Sequence, residues 1–161
     1  MTYIIMEPDW RETLKIASSS YYQLVLVVGT IGSGKTQSLK QIAGYGFHYL
    51  NFGEEFSQRM LARPINSRPI EAEEIAIDLV DAQKSKLLAI DNTEVLFESP
   101  VRLNPLALLK RLSINRLIVA TWSGTFDQSK LHYGFRGHPS YREIRYTEED
   151  AFIIVPTNNL V

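Results

Sequence analysis

The chain has 161 residues, 45% of them hydrophobic, which suits one domain over residues 1–161 with a well-formed core. A formal net charge of −1 gives no overall attraction to nucleic acid or to an acidic membrane surface, and without cysteine neither disulfides nor thiolate metal sites can form. The N-terminus lacks the basic start and apolar core of a signal peptide, and no apolar run reaches membrane-spanning length. We therefore expect a soluble cytoplasmic protein.

The first elements predicted along the chain are a short amphipathic helix and an apolar strand. A helix over residues 10–18 places Trp10, Leu14 and Ala17 on one side, within an N-terminal extension that spans residues 1–22. The apolar run at 24–28 predicts a buried strand over 23–28. A glycine-rich segment follows it, and residues 37–43 then form a helix.

The glycine-rich segment matches the phosphate-binding pattern G-x-x-x-x-G-K-[ST]. Its glycines let backbone N–H groups curl around a polyphosphate, and the helix start adds partial positive charge. Lys35 can reach the β- and γ-phosphates, and the Thr36 hydroxyl can bind Mg²⁺. The alternative is a strand-to-helix turn with an exposed lysine, but the flanking strand and helix favour a loop that binds ATP. The residues predicted to bind the nucleotide are Gly29, Thr30, Ile31, Gly32, Ser33, Gly34, Lys35, Thr36 and Gln37.

Strands and helices alternate along the rest of the chain. The further strands are predicted at 47–52, 87–90, 116–121 and 151–155, the further helices at 54–62, 70–82 and 103–112, a hairpin or irregular loop at 123–147, and a tail at 156–161. This alternation predicts a three-layer α/β fold, in which a mostly parallel five-stranded sheet has helices on both faces. Right-handed crossovers then place the phosphate loop at the carboxyl edge of the sheet.

Two acidic residues follow strand 87–90. Asp91 comes directly after the strand, where it can hold Mg²⁺ opposite Thr36; the alternative is a helix cap or a turn. Many ATPases of this kind place a glutamate next, to activate water, but Asn92 stands there and cannot take a proton at neutral pH. Glu94 either activates the water or faces solvent at a helix start, so slow hydrolysis stays open.

Thr121 follows the fourth apolar strand and is predicted to sense the γ-phosphate if that strand lies between the phosphate-loop strand and the Asp91 strand. The alternative is a plain strand-to-loop transition, with Trp122 in the core or an interface.

Residues 130–146 hold four basic residues against one acid, with tyrosines and a phenylalanine between them. Arg136 and Arg142 are the candidates for an arginine finger donated to a neighbouring subunit; a nucleic-acid contact, a phosphate clamp within one chain and a solvated loop stay open. The three histidines have no acid or second histidine at ligand spacing, so we expect no histidine metal site. The predicted catalytic residues are Lys35, Glu94, Thr121, Arg136 and Arg142.

Over residues 23–155 the chain resembles the small P-loop protein of bacteriophage-exclusion (BREX) defence systems. The resemblance is carried by segments 29–36, 49–54, 90–97, 112–116, 119–124 and 137–142. It implies an ATPase core of the additional-strand type, related to AAA+ modules, in a bacterial protein that acts with other defence components. Since only residues 156–161 follow the last strand, the helical lid of full AAA+ modules is expected to be missing, and ring or motor behaviour is not expected to carry over.

The leading expectation is an ATP-binding and ATP-hydrolysing switch or assembly subunit in phage defence. The alternatives are a small-molecule kinase and a nucleotide-binding scaffold that does not hydrolyse ATP. Strand order separates the first two, because a strand inserted between the phosphate-loop strand and the Asp91 strand favours the ATPase. A homo-oligomer stays open, and a DNA contact through residues 130–146 has little support from the net charge.

Overall fold

The computed structural model describes residues 2–98 and 103–157, which form five α-helices and eight strands. The helices are α1 (Trp10–Ser18), α2 (Lys35–Gln41), α3 (Phe52–Leu61), α4 (Arg68–Asp81) and α5 (Pro105–Leu112). The strands are β1 (Tyr3–Ile4), β2 (Leu24–Gly29), β3 (His48–Asn51), β4 (Leu87–Asp91), β5 (Leu117–Phe126), β6 (Lys130–Tyr133), β7 (Arg142–Arg145) and β8 (Ile153–Pro156). Short 3₁₀ helices cover Ile42–Tyr45, Thr93–Phe97 and Glu148–Asp150.

Six strands pair in parallel in the order β1-β8-β2-β5-β4-β3. The strand β5 therefore lies between β2, which precedes the glycine-rich loop, and β4, which ends in Asp91. Parallel neighbours end at the same edge, so the segments after β2, β4 and β5 meet at the carboxyl edge of the sheet.

The two faces of the sheet pack against different helices. Along β2, Leu24, Leu26 and Val28 belong to the core cluster that includes residues of α3, α4 and α5. Val25 and Val27 point to the other side and pack with residues of α1 and α2. This alternation confirms the α/β fold with a mostly parallel sheet and is compatible with three layers.

The structure contains more strands than the five predicted ones, which correspond to β2, β3, β4, β5 and β8. The N-terminal extension supplies β1, a two-residue edge strand with both residues exposed, too short for a periodic pattern. The strand predicted to end at residue 121 continues to Phe126 and pairs with the antiparallel β6–β7 hairpin. Gly124 permits this pairing, because a Cβ there would lie 1.7 Å from the His132 carbonyl oxygen.

The observed starts of helices α2 to α5 differ from the predicted ones by about two residues, and in α3 and α5 a capping side chain sets the start. The helix predicted from residue 54 begins at Phe52, since the Asn51 side chain accepts a hydrogen bond from Glu54 N. Asn104 caps α5 in the same way and Pro105 is its first residue, as predicted for a helix start. Of the predicted tail, residues 158–161 lie outside the described part. Across 2–98 and 103–157, no helix combines the length and apolarity needed to cross a bilayer.

Candidate functional site

The carboxyl edge of the sheet holds a cavity of about 390 Å³ where strands β2 and β4 end. The loop after β2, the end of β4 and the 3₁₀ helix Thr93–Phe97 surround it. The residues that line the cavity are Ile31, Gly32, Gly34, Lys35, Thr36, Asp91, Asn92 and Glu94. Residues far apart in the sequence therefore share one small polar space.

The loop between β2 and α2 needs its glycines. Gly32 and Gly34 have φ angles of 79° and 98°, in the left-handed region that costs glycine little and other residues more. Ser33 N donates to Thr30 O at 3.1 Å and closes a turn inside the loop. Gly34 precedes α2 without a capping side chain, and Gln37 is exposed on the first turn of α2. The loop thus leaves backbone N–H groups beside the cavity.

Lys35 is buried at the base of the loop, with 8% of its surface exposed. Its Nζ donates to Thr30 O at 2.9 Å, so one loop carbonyl accepts from both Lys35 and Ser33. Burial lowers the pKa of Lys35, while the nearby carboxylates of Glu94 and Asp91 act in the opposite direction. A cation and two carboxylates therefore face each other around the cavity.

Asp91 and Thr36 lie in direct contact. Asp91 Oδ2 accepts from Thr36 Oγ1 at 2.8 Å and from Tyr49 Oη at 2.6 Å, and Oδ1 accepts from Asn92 N at 2.8 Å. The carboxylate is 3% exposed and points at the start of α2. The two residues predicted to hold Mg²⁺ are thus brought together by β4 and α2.

Tyr49 is a site residue that the sequence did not single out. Its hydroxyl bonds to Asp91, and burial together with that carboxylate raises its pKa to about 12. The contact depends on β3 pairing with β4, in the register that sets Asn51 level with Asp91. A tyrosine two residues before a strand end does not by itself indicate a site residue. Its contact with Asp91 can be predicted only when the register between β3 and β4 is known.

The donor set fits a magnesium ion that also binds phosphate. Carboxylate and hydroxyl oxygens are the ligands that Mg²⁺ prefers, and it commonly takes one or two protein ligands together with substrate phosphates and water. Among residues 2–98 and 103–157, no three His, Asp or Glu side chains lie close enough to form a metal cage. Thr36 and Asp91 are therefore suited to share the ion with a bound triphosphate.

Glu94 lines the same cavity and is held by a hydroxyl from β5. Ser123 Oγ donates to Glu94 Oε1. The 3₁₀ helix that carries Glu94 starts after Asn92, whose φ of 58° is left-handed, and Thr93 Oγ1 donates to Thr121 O at 2.6 Å. This anchoring brings the carboxylate into the cavity that Lys35 also lines, instead of leaving it in solvent at a helix start.

The hydroxyl of Ser123, and not that of Thr121, reaches the cavity side chains. Thr121 is level with Val27, two residues before the end of β2, and is fully buried. Its hydroxyl has no hydrogen-bond partner among the described residues. Ser123 is level with Gly29, where the loop begins. The predicted strand 116–121 ends before Ser123, so the sequence pointed to Thr121, whereas the longer strand β5 brings Ser123 to the start of the loop.

The two predicted finger arginines do not line the cavity. Arg142 NH1 donates to Leu103 O at 3.1 Å, and its guanidinium carbon lies 5.7 Å from the centre of the Phe97 ring, so this side chain is used within its own chain. Arg136 is exposed in the loop between β6 and β7. Trp122 is fully buried and donates through Nε1 to His132 O, as expected for a core residue.

A second, mostly apolar cavity of about 240 Å³ borders the first. It lies between the tip of the glycine-rich loop and the loop after β6, and Ile31 lines both cavities. Its walls are formed by Thr30, Ile31, Ser123, Gly124, Tyr133, Gly134, Phe135 and His138.

Comparison of the chain with family models, with curated proteins and with solved structures gave no significant match. The interpretation of this site therefore depends on the chemistry and geometry of its own residues.

Proposed function

We propose that this chain is a P-loop NTPase of the additional-strand type that binds ATP with Mg²⁺ at the carboxyl edge of its sheet. The observation that carries the proposal is the 2.8 Å contact between Thr36 and Asp91 beside the buried Lys35. The insertion of β5 between β2 and β4 supports the same class, because that order is the one expected of an ATPase core.

Each part of the site has a role in holding a triphosphate. The N–H groups of residues 32–36 bind phosphate oxygens. The Lys35 ammonium group leaves the Thr30 carbonyl for a phosphate oxygen, and this charge-assisted bond offsets the free-energy cost of burying the lysine. Thr36 and Asp91 would hold Mg²⁺, which would neutralise part of the phosphate charge. Tyr49 fixes the orientation of the Asp91 carboxylate.

Hydrolysis depends on Glu94. It is the acid of the cavity that is not committed to Thr36, and a carboxylate can accept a proton from water, which Asn92 cannot do. Ser123 holds Glu94 level with the end of β2, where both side chains can respond to the terminal phosphate. Slow turnover is favoured by Asn92, which stands where an acid often follows the strand-end aspartate and cannot take a proton at neutral pH.

A nucleotide-binding scaffold is the second candidate, favoured by Asn92 in the position where an acid often stands. A small-molecule kinase is less well supported, because the inserted strand β5 favours water as the phosphate acceptor.

Measuring ATP turnover distinguishes the ATPase from the scaffold. Glu94→Gln should lower ATP hydrolysis by about 100-fold and leave ATP affinity nearly unchanged. Wild-type protein that binds ATP without hydrolysing it would favour the scaffold.

The biological setting is proposed from the resemblance of segments such as 90–97 to the small P-loop protein of BREX systems. On that basis the chain acts in the bacterial cytoplasm as a switch or assembly subunit together with other BREX defence proteins. Arg136, exposed in the loop between β6 and β7, is available to a neighbouring copy or to a partner.

The experiment that tests the proposal is calorimetric titration of ATPγS with Mg²⁺ into three proteins: wild type, Lys35→Ala and Lys40→Ala. Lys40 is the matched control, an exposed lysine in the last turn of the same helix. Loss of a charge-assisted contact should weaken binding by Lys35→Ala at least about tenfold, while Lys40→Ala binds as wild type does. Equal affinity of all three proteins, or no binding by wild type, would refute the proposal.

A further inference from the structure

Two buried hydroxyl side chains lie close to Gly29, where β2 ends and the glycine-rich loop begins. Gly29 ends β2 and is level with Ser123 on β5. On the other side, Val28 pairs with Pro156 of β8, and Thr157 N donates to Val28 O at 2.9 Å. Thr157 therefore lies beside Gly29, directly under the loop.

Two hydroxyls occupy the space above Gly29. A Cβ built on this glycine would lie 2.1 Å from Ser33 Oγ and 2.4 Å from Thr157 Oγ1. Both side chains are 7% exposed. Neither hydroxyl has a hydrogen-bond partner within residues 2–98 and 103–157. The absence of a side chain at residue 29 is what leaves room for both hydroxyls beside this glycine.

Buried hydroxyls without partners cost free energy, so folded proteins pair them or bridge them with ordered water. Ser33 Oγ and Thr157 Oγ1 face the same glycine, so a hydrogen bond between them, direct or through one water, would satisfy both. Such a link joins the middle of the loop to the residue that follows strand β8. It would hold the loop from behind while its N–H groups point at the cavity.

The link becomes more important when Lys35 is drawn to a phosphate. Thr30 O accepts from both Lys35 Nζ and Ser33 N, and these two bonds hold the turn of the loop. If Lys35 leaves for a phosphate oxygen, one of the two is lost. The contact behind Ser33 then keeps the turn in place.

We propose that Thr157 is a positioning residue for the phosphate loop, acting through Ser33 and not through contact with the nucleotide. The proposal rests on the proposed ATP-binding function and adds a residue to that site. It assigns a role to a side chain beyond the last strand that no nucleotide-binding pattern includes.

The test compares Thr157→Val, which keeps the shape and removes the hydroxyl, with Thr157→Ser, which keeps the hydroxyl. Thr157→Val should weaken ATPγS binding about fivefold to tenfold and raise KM for ATP, with kcat at saturating ATP within about twofold of wild type. Thr157→Ser should bind within about twofold of wild type. Equal binding by Thr157→Val and wild type, or equal weakening in both variants, would overturn the proposal.

A second measurement keeps this test separate from that of the proposed function. In urea unfolding without nucleotide, Ser33→Ala and Thr157→Val should each shift the urea concentration at the midpoint. The shift in the double variant should differ from the sum of the two single shifts. Additive shifts would overturn the Ser33–Thr157 link whether or not the protein binds ATP. If wild type does not bind ATPγS but the shifts are non-additive, the proposed ATP-binding function is refuted. Thr157 would then only anchor the loop, and its role in positioning the loop for a nucleotide would be refuted as well.

Discussion

The Tyr49 hydroxyl, on β3, donates to Asp91 Oδ2 at 2.6 Å, the oxygen that also accepts from Thr36. Removing a group that orients a metal ligand commonly weakens metal binding 10- to 100-fold. We therefore expect Tyr49→Phe to raise the Mg²⁺ concentration needed for half-maximal ATP binding about tenfold, measured by titrating Mg²⁺ at fixed ATP.

Tyr45→Phe is the control for this change, because Tyr45 is exposed and makes no side-chain hydrogen bond among the described residues. It should leave the Mg²⁺ requirement unchanged. An identical Mg²⁺ requirement in Tyr49→Phe and wild type would show that Tyr49 does not orient Asp91 for the ion.

The same contact predicts a pH dependence of stability. Burial and Asp91 raise the pKa of Tyr49 from 10.0 to about 12, so the folded state keeps this proton to higher pH than the unfolded chain. The resulting stabilisation is complete below pH 10 and is lost as the pH rises towards about 12. The free energy of unfolding should therefore fall less steeply over this range in Tyr49→Phe than in wild type. Parallel denaturant-midpoint curves for the two proteins from pH 9 to 11 would contradict this prediction.

Ser123 and Thr121 give opposite predictions for turnover. Ser123→Ala removes the hydroxyl that holds Glu94, and ATP hydrolysis should fall about tenfold. Thr121→Val should leave turnover within about twofold and raise the free energy of unfolding by about 1 kcal/mol, because the Thr121 hydroxyl is buried without a partner among the described residues. Steady-state hydrolysis and urea unfolding check both variants. A tenfold loss of turnover in Thr121→Val would contradict this assignment and support the predicted sensing role of Thr121.

The two arginine-finger candidates, Arg142 and Arg136, are predicted to have different effects when changed to alanine: the first on stability, the second on turnover in an assembly. Arg142→Ala loses the bond to Leu103 O and the contact over Phe97, and should lower the free energy of unfolding by about 1–2 kcal/mol. Arg136→Ala should leave stability unchanged, since Arg136 is exposed. If Arg136 acts in a neighbouring copy, turnover per subunit rises with protein concentration and this rise disappears in Arg136→Ala. Turnover independent of concentration would exclude the finger.

The fold was predictable where sequence patterns are local. Continuous apolar runs at β2, β4, β5 and β8 and helix-period patterns between them gave the mostly parallel sheet. For the β6–β7 segment the sequence does not distinguish a hairpin from an irregular loop, because Gly124 resembles the end of a strand but in fact lets β6 approach. The strand β1 pairs over two residues, and no periodicity can reveal so short an element.

The site was predictable to the extent that one motif defines it. Residues 29–36 and an aspartate after an apolar strand carry their own pattern, and the fold brings Thr36 and Asp91 into contact. Tyr49, Ser123 and Thr157 carry no such pattern, because their roles depend on which strands pair and in which register. Two residues along β5 make the difference: the Thr121 hydroxyl is buried in the sheet, whereas the Ser123 hydroxyl reaches Glu94 at the cavity.

A crystal structure with a non-hydrolysable ATP analogue and Mg²⁺ tests the central claim most directly. The account predicts the terminal phosphates against the N–H groups of residues 32–36, Lys35 Nζ moved from Thr30 O to a phosphate oxygen, and the ion between Thr36 and Asp91. A nucleotide bound elsewhere on the protein, with Lys35 still bonded to Thr30 O at saturating concentration, would contradict it.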